Sequence, residues 1–407
     1  MKNNRTFLEK LLDGAEVKWK TLDEISSIYG GLTGKGKADF ENGNALYVPY
    51  KNIFNNIEVD FNNLDTVNVS DDEKQYAIKY GDVLFTGSSE TAEEAGMSSA
   101  VTTKTEQKIY LNSFSFGLRF NDDVELLPEF SKFLFRTLSI RKEIVKSASG
   151  VTRFNISKAR FKKIKIPIPP LPVQTEIVKI LDALTALTSE LTSELILRQK
   201  QYEYYREKLL SFDSLERLNE GGGKKKLIDV AIYTKVRISA DKLNKENYVG
   251  VENLLQNKLG KTSSNYVPTE GSFIEYLPND ILIGNIRPYL RKIWLADKTG
   301  GTNGDVLVIR LTDKNILPRY LYHILANEHF FEYNVKYSKG AKMPRGDKAA
   351  ILQYEFDVPP LEEQHRIVSI LDKFETLTNS ITEGLPLAIE QSQKRYEYYR
   401  ELLLNFE

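Results

Sequence analysis

Cysteine is absent from all 407 residues. That excludes disulfides and thiolate metal sites and fits a reducing compartment. Histidine is nearly absent. His323, His329 and His365 stand in no HExxH or comparable spacing, which argues against a zinc site. No apolar run approaches the roughly 20 residues of a membrane span. The opening Met1-Lys2-Asn3-Asn4-Arg5 is not followed by a secretory apolar core. A cytoplasmic location and no membrane partner are therefore expected. An excess of charge of either sign is also lacking, since 56 basic and 56 acidic residues give a formal net charge of zero. Nucleic-acid-binding domains tend to be basic, so this balance weighs against such a partner, although a total can hide local patches. Catalytic signatures are missing too. There is no Asn/Asp-Pro-Pro-aromatic methyltransferase motif, no serine nucleophile elbow and no pair of catalytic carboxylates. Glu106-Gln107-Lys108 could end a nuclease Glu-x-Lys motif, but no Pro-Asp partner strand is recognisable. The chain reads as non-catalytic.

What the chain does have is an internal repeat. Pro169-Pro170-Leu171, Gln174 and Ile177-Val178-Lys179-Ile180-Leu181-Asp182 return as Pro359-Pro360-Leu361, Gln364 and Ile367-Val368-Ser369-Ile370-Leu371-Asp372. Each copy closes on a tyrosine-rich end, Tyr202-Glu203-Tyr204-Tyr205-Arg206-Glu207 and Tyr396-Glu397-Tyr398-Tyr399-Arg400-Glu401. A repeat of about half the chain means two copies of one architecture, with pseudo-twofold symmetry. The Pro-Pro pairs are helix-start signals. In the first copy Ile177, Leu181, Leu184, Leu191, Leu195, Tyr202, Tyr205 and Leu209 fall on alternating four- and three-residue steps, with Thr188 and Arg198 filling the gaps. This predicts a coiled-coil helix from Gln174 to Phe212. Leu187, Leu191 and Leu195, inside the tandem Thr-Ser-Glu-Leu units at 188–191 and 192–195, form a run of fours that unwinds the supercoil locally. The second copy follows with Ile367, Leu371, Phe374, Ile381, Leu385, Tyr396, Tyr399 and Leu403, and Gly384 and Pro386 should break it. Two such helices most simply pair antiparallel with each other; a homodimer seam is the alternative. Tyr202, Tyr205, Tyr396 and Tyr399 are expected to pack helix ends rather than stack on bases.

Segments 15–168 and 222–358 correspond best at their ends. Leu127-Pro128 matches Leu317-Pro318, Phe130 matches Tyr320 and Gly150 matches Gly340. Gly81-Asp82-Val83-Leu84-Phe85 matches Asn279-Asp280-Ile281-Leu282-Ile283, a turn feeding an apolar strand. Arg119 and Arg310 sit in matching alternating strands. The middles differ, as expected for one scaffold carrying two sets of loops. Gly221 to Lys226 reads as a flexible linker. Basic stretches recur at the matched positions. Arg153, Lys158, Arg160, Lys162, Lys163 and Lys165 follow Gly150, while Lys339, Lys342, Arg345 and Lys348 surround Gly340. Asn285-Ile286-Arg287-Pro288-Tyr289-Leu290-Arg291-Lys292 follows a strand at the place where the first copy has Ser88-Ser89-Glu90-Thr91-Ala92-Glu93-Glu94. Arginine can bind guanine in two-point fashion, glutamate can accept from a cytosine amino group, and asparagine suits adenine. Gly31-Leu32-Thr33-Gly34-Lys35-Gly36-Lys37-Ala38 approaches a phosphate-binding P-loop, but Ala38 stands where Ser or Thr must hold magnesium. A mobile glycine-lysine loop touching DNA phosphate through Lys35 and Lys37 is the better functional reading, with an idle surface loop as the alternative.

Taken together, these motifs resemble the specificity subunit of type I restriction-modification systems. The resemblance rests on Pro-Pro-Leu-x-x-Gln with Ile-Val-x-Ile-Leu-Asp, the Thr-Ser-Glu-Leu units, the run Leu377 to Pro386, the Tyr-Glu-Tyr-Tyr-Arg ends, and Phe7 to Gly14 near the start. It implies an α+β chain with two duplicated α/β target-recognition domains, joined by two long helices in an antiparallel coiled coil. The expected order is an N-terminal helical segment 1–14, recognition domain 15–168, central helix and linker 169–221, recognition domain 222–358 and C-terminal helix 359–407. Each recognition domain would read one half of a bipartite site in double-stranded DNA. The helices would set the spacer, through Leu187, Leu191, Leu195, Ile381 and Leu385, and dock two methyltransferase subunits. With motor-nuclease subunits the assembly would methylate adenine and cleave unmodified DNA. S-adenosylmethionine, ATP and magnesium would belong to partner subunits, and none to this chain. The expected DNA-contacting residues are Lys35, Lys37, Ser89, Glu90, Arg153, Lys158, Arg160, Lys163, Asn285, Arg287, Tyr289, Arg291, Lys292, Lys342 and Arg345. A two-domain coiled-coil adaptor that binds no DNA is the competing expectation, supported by the zero net charge.

Overall fold

Proline pairs precede the long helices and a glycine turn breaks the second copy, as the sequence pattern requires. In the computed structural model, which describes residues 7–210, 223–380 and 382–406, the central helix Leu171–Leu210 begins directly after Pro169-Pro170 and runs unbroken for 40 residues. At 1.5 Å per residue that is about 60 Å. It starts three residues earlier than predicted, and Phe212 lies outside the described residues. The second copy is broken where Gly384 and Pro386 predicted, into Leu361–Asn379 and Leu385–Leu403. Gly384 takes φ +85°, and a Cβ there would stand 2.5 Å from the Thr376 carbonyl oxygen, so the turn requires glycine. Among the described residues no helix is long and apolar enough to cross a membrane.

The chain divides into two units. The first holds Met1–Ser189 and Glu390–Glu407, and the second Glu190–Ile389. Each therefore takes part of both helical copies. In the first unit, Lys18–Thr21 pairs antiparallel with Lys165–Ile168, closing the domain immediately before the central helix. A four-stranded antiparallel sheet follows the order Ser26–Gly30, Ser115–Phe120, Val83–Thr86, Ser98–Ala100. A second sheet orders Asp65–Val67, Ala45–Val48 and Ile109–Leu111, the last pair being parallel. Phe85, Phe116, Phe135 and Phe161 meet ring to ring under the main sheet. Ile177 and Leu181 of the central helix share this core with Leu403 and Leu404, while Thr188, farther along, meets Ser392 hydroxyl to hydroxyl at 2.8 Å. Rising numbers on one helix thus face falling numbers on the other, so within this unit the two segments are antiparallel.

The second unit repeats the plan. Gly223–Lys226 pairs with Glu355–Val358, and a four-stranded antiparallel sheet orders Ala231–Tyr233, Val306–Leu311, Ile281–Gly284, Ile293–Leu295. The linker expected at Gly221 to Lys226 is corrected here. Gly221 and Gly222 lie outside the described residues, but Gly223–Lys226 is a strand, held by its ladder and by the Lys225–Asp313 and Lys226–Glu355 ion pairs. A parallel pair, Tyr248–Val249 with Gly300–Thr302, corresponds to the parallel pair of the first unit. The core gathers Tyr320, Phe330, Ile367 and Leu371, and takes Tyr202 and Leu210 from the end of the central helix.

Candidate nucleic-acid interface

Both units send a fully buried strand out into a polar loop. In the second unit Ile281–Gly284 leads to Asn285-Ile286-Arg287. Ile286 bridges to Arg345, the Arg287 N–H donates to the Pro344 carbonyl at 2.7 Å, and Lys339 and Arg345 exchange two backbone hydrogen bonds of 2.8 Å. The two basic stretches, some 60 residues apart in sequence, therefore form one junction. In the first unit Val83–Thr86 leads to Ser88–Ser89, which pairs with Phe154–Ile156, and Ala148–Ser149 pairs with the other side of that strand. Arg153 Nε donates to Ser88 Oγ at 3.2 Å, and its guanidinium lies 5.8 Å from the Phe114 ring. The junction is topologically the same, with different side chains. It turns at Gly150, where a Cβ would meet the Arg153 carbonyl oxygen at 1.9 Å. Beside it opens a cleft of about 500 Å³ lined by Tyr50, Phe54, Phe114, Ser88, Ser89, Glu90 and Arg153. Tyr50 and Phe54 stack 5.9 Å apart, and the Tyr50 hydroxyl donates to the Ser88 carbonyl at 2.8 Å.

The remaining expected contact residues divide by whether their charge is already used. Lys35 is turned inward, 5 % exposed, with Nζ 2.6 Å from Glu73. The same bond, with help from the Ser70 N–H, holds the Glu73 carboxyl down to about 2. Lys37 is exposed at the start of the 3-10 turn Lys37–Phe40, which leads to the strand Ala45–Val48 and not into an α-helix, so the loop is not built as a P-loop. Lys158 is exposed with Nζ 5.9 Å from the Phe116 ring. Arg160 donates to the Lys146 and Ala148 carbonyls at 3.4 Å. Lys163 is exposed and lines a second cleft with Trp19, Lys142 and Lys165. Ser89 is buried and donates to the Thr91 carbonyl, whereas Glu90 is exposed. In the second unit Asn285 is buried and Tyr289 is exposed. Arg291 pairs with Glu328 at 2.9 Å, Lys292 donates to the Val251 carbonyl at 2.7 Å, and Arg345 pairs with Asp305 at 2.6 Å. Burial lowers the pKa of Lys292. Arg287 and Lys342 are exposed.

On the helices, Leu191, Leu195 and Leu385 are half-buried and Leu187 is exposed; Ile381 lies outside the described residues. Four-residue steps advance about 40° around a helix, so Leu187 and Leu195 cannot share a narrow seam. Tyr202 and Tyr205 stack on Phe374 at 6.1 and 5.6 Å, and Tyr396 lies 6.3 Å from Phe133. Tyr399 is exposed and meets Tyr398 at 5.3 Å.

Sequence reading missed the helix anchors, whose partners lie tens of residues apart with no local signal. Asp182 and Asp372, the last residues of the repeated Ile-Leu-Asp, each tie their helix to an earlier helix of the same unit, Pro128–Leu134 and Pro318–Leu325. Asp182 takes the Lys132 ammonium at 2.8 Å, and Asp372 takes Arg319 Nε and His323 Nε2 at 2.8 Å each. Glu375 completes this second cluster at 2.7 Å from Arg319. His323, Asp372 and Glu375 are ligand types a metal could use, but the Arg319 guanidinium already supplies positive charge to both carboxylates.

The profile of the type I restriction modification DNA specificity domain matches residues 15–198 and 219–391. The Haemophilus influenzae protein S.HindORF215P, by name a type I restriction enzyme specificity subunit, is 38 % identical over the full length of both chains. The Escherichia coli EcoR124I/EcoR124II specificity subunit is 32 % identical, covering 98 % of this chain and 97 % of its own. Among solved structures, one from work on complex assembly and conformational transition of the type I system superposes with a TM-score of 0.60 at 16 % identity, covering 96 % of this chain and 98 % of its own. The subunit from Thermoanaerobacter tengcongensis gives 0.54 at 15 % identity, covering 96 % of each chain.

Proposed function

The chain belongs to the family of type I restriction-modification specificity subunits, and we propose on that premise that its two units read the two halves of one bipartite DNA site. As a specificity subunit it is the non-catalytic chain of its system. The observation that carries the reading is the shared junction. At the same place in each unit a buried strand feeds a polar loop that is clasped by a second, basic loop, with Ser88–Ser89 against Phe154–Ile156 in one and Ile286 against Arg345 in the other. One scaffold presenting two different side-chain sets is what reading two different base sequences demands. We take 15–168 and 222–358 as the recognition domains and 169–221 and 359–407 as the helical regions that set the spacer and dock two methyltransferase subunits. S-adenosylmethionine, used for adenine methylation, and ATP with magnesium, used by motor-nuclease subunits, belong to those partners. The exposed cations Lys37, Lys158, Lys163 and Lys342 suit phosphate, and Glu90, Arg153 and Arg287 suit base edges. Nothing in the comparisons favours the adaptor reading. Co-expression with the methyltransferase subunit, followed by genome-wide mapping of methylated adenines, tests the proposal. A bipartite motif is expected. Absence of any sequence-specific methylation, together with DNA affinity that does not fall with salt, would refute it.

A further inference from the structure

Most cations at the second unit's junction are already committed to its own architecture. Lys258 and Arg291 share the Glu328 carboxylate, each at 2.9 Å. Lys292 is spent on the Val251 carbonyl and Arg345 on Asp305. Arg287 is different. It is exposed, and its guanidinium has no partner among the described residues.

Its backbone is also set unusually. Arg287 and Arg291 both lie at φ +52°, bracketing the 3-10 turn Pro288–Leu290. Side chains with a Cβ avoid that region, which suits glycine. The conformation is held from both sides. Arg287 donates its N–H to the Pro344 carbonyl, while Asn257 and Lys258 donate theirs to the Leu290 and Arg291 carbonyls at 3.0 and 2.9 Å. Pro288 stiffens the next residue. The loop thus maintains a disfavoured backbone at a position where glycine would be easier, and the side chain it keeps there is a free, rigidly based fork of donors.

Resting on the DNA-reading function proposed above, we infer that Arg287 reads a guanine in the half-site of the second unit, and that Arg291 is a positioning residue that fixes the turn through Glu328. A guanidinium carries donors and no acceptor, so it matches the paired N7 and O6 acceptors of guanine and meets the amino groups of adenine and cytosine unfavourably. The first unit has no counterpart. The residue in register is Ser89, which faces Phe154 as Arg287 faces Pro344, and it is buried with its hydroxyl turned to the Thr91 carbonyl. A guanine contact at this loop position therefore belongs to the half-site of the second unit.

The test uses the full chain co-expressed with its methyltransferase subunits in a host lacking other adenine methylation, with the methylated motif mapped for each variant. Arg287→Gly removes the fork and relieves the backbone, so the protein should keep its melting temperature. It should lose roughly 5- to 150-fold of discrimination at one guanine of one half-site, and leave the other half-site unchanged. Arg287→Lys should not restore that base, since a point charge cannot make the two-point contact. Arg291→Ala should relax the same base, and Arg291→Lys, whose ammonium can still reach Glu328, should restore it. A wild-type motif with Arg287→Gly, or relaxation at an A·T pair or in both halves, overturns the assignment while the DNA-reading function stands. A wild-type protein that directs no sequence-specific methylation overturns both.

Discussion

Asp82 accepts Arg119 through both Nε and Nη2, at 2.8 and 2.6 Å, and so ties the strand Val83–Thr86 to its neighbour Ser115–Phe120 at the end opposite the Ser88–Ser89 loop. Asp280 and Arg310 repeat the clasp at 2.9 and 2.6 Å. The first copy adds the Tyr29 hydroxyl, which donates to the same Asp82 carboxylate at 2.6 Å. Asp82 is 1 % exposed and the Arg119 side chain 27 %. Asp82→Ala strands a largely buried cation and a buried hydroxyl together, and should cost about 3 kcal/mol. Asp280→Ala, with no tyrosine to strand, should cost less. Denaturant melts of the two variants check the order.

Gln174 and Gln364 make the same three hydrogen bonds. Gln174 accepts the Leu127 N–H at 2.9 Å and donates to the Glu125 and Pro169 carbonyls at 2.8 and 2.7 Å. Gln364 accepts from Leu317 at 2.9 Å and donates to Asn315 and Pro359 at 2.9 and 2.8 Å. Both are fully buried. Gln364→Leu leaves one N–H and two carbonyls without partners and should cost about 2–4 kcal/mol, measurable as a lower unfolding midpoint; Gln364→Glu should not rescue it.

Much of this architecture is legible in the sequence, and the part that is not has a common cause. The repeat, the helix starts after Pro169-Pro170 and Pro359-Pro360, and the break at Gly384 are written in local residues, because φ preferences and apolar periodicity act within a few positions. Gln174 and Gln364 stood out as repeated residues, but their partners did not. The same holds for the cations. A lysine committed to Glu73, such as Lys35, and an arginine free at a loop tip, such as Arg287, look alike in sequence, because the partner that distinguishes them is brought in by the fold. Leu187 is exposed because it stands outside the alternating four- and three-residue steps, in a run of fours that drifts around the helix.

Stability should depend on pH through His323. Burial pushes its pKa below the ordinary value, against the Asp372 hydrogen bond that raises it. The folded state therefore resists a proton that the unfolded chain accepts below about pH 6.5. Stability is full above that value and falls as pH drops through it, by at most about 1.4 kcal/mol per pH unit for one proton. His323→Gln should flatten the melting temperature between pH 6.5 and 5. An unchanged slope would assign the dependence to other groups.

Phosphate contacts should separate from internal ion pairs by salt. Lys163→Ala and Lys342→Ala are expected to weaken binding to all sequences and to reduce the logarithmic salt slope by about 1 each. Lys35→Ala should leave the slope unchanged and lower stability instead, because its charge serves Glu73. Filter or fluorescence titrations between 50 and 200 mM salt distinguish them.

Deleting residues 192–195 removes one Thr-Ser-Glu-Leu unit from an unbroken helix and shortens it by about 6 Å. Both half-sites should persist, and the tolerated spacer should shorten by one base pair, the break between Asn379 and Leu385 absorbing the remainder. A two-residue deletion should abolish assembly, because it rotates the buried face away. Methylation confined to the original spacer would make the helix a scaffold without a measuring role.

The closing segments carry a genetic consequence. Tyr202 and Leu210 complete the core of the second unit, and Tyr396, Leu403 and Leu404 complete that of the first. Their sequences, YEYYREKLLSF and YEYYRELLLNF, are nearly interchangeable. A gene interrupted soon after the codon for Phe212 encodes a protein with one recognition domain, missing its own closing strip but carrying a near copy of it at its end. Two such products are expected to exchange strips and close each other as a homodimer, which the oligomeric state of residues 1–212 would show. The site they read would then be a palindrome, and a frameshift that would ruin most proteins would here give a new recognition sequence.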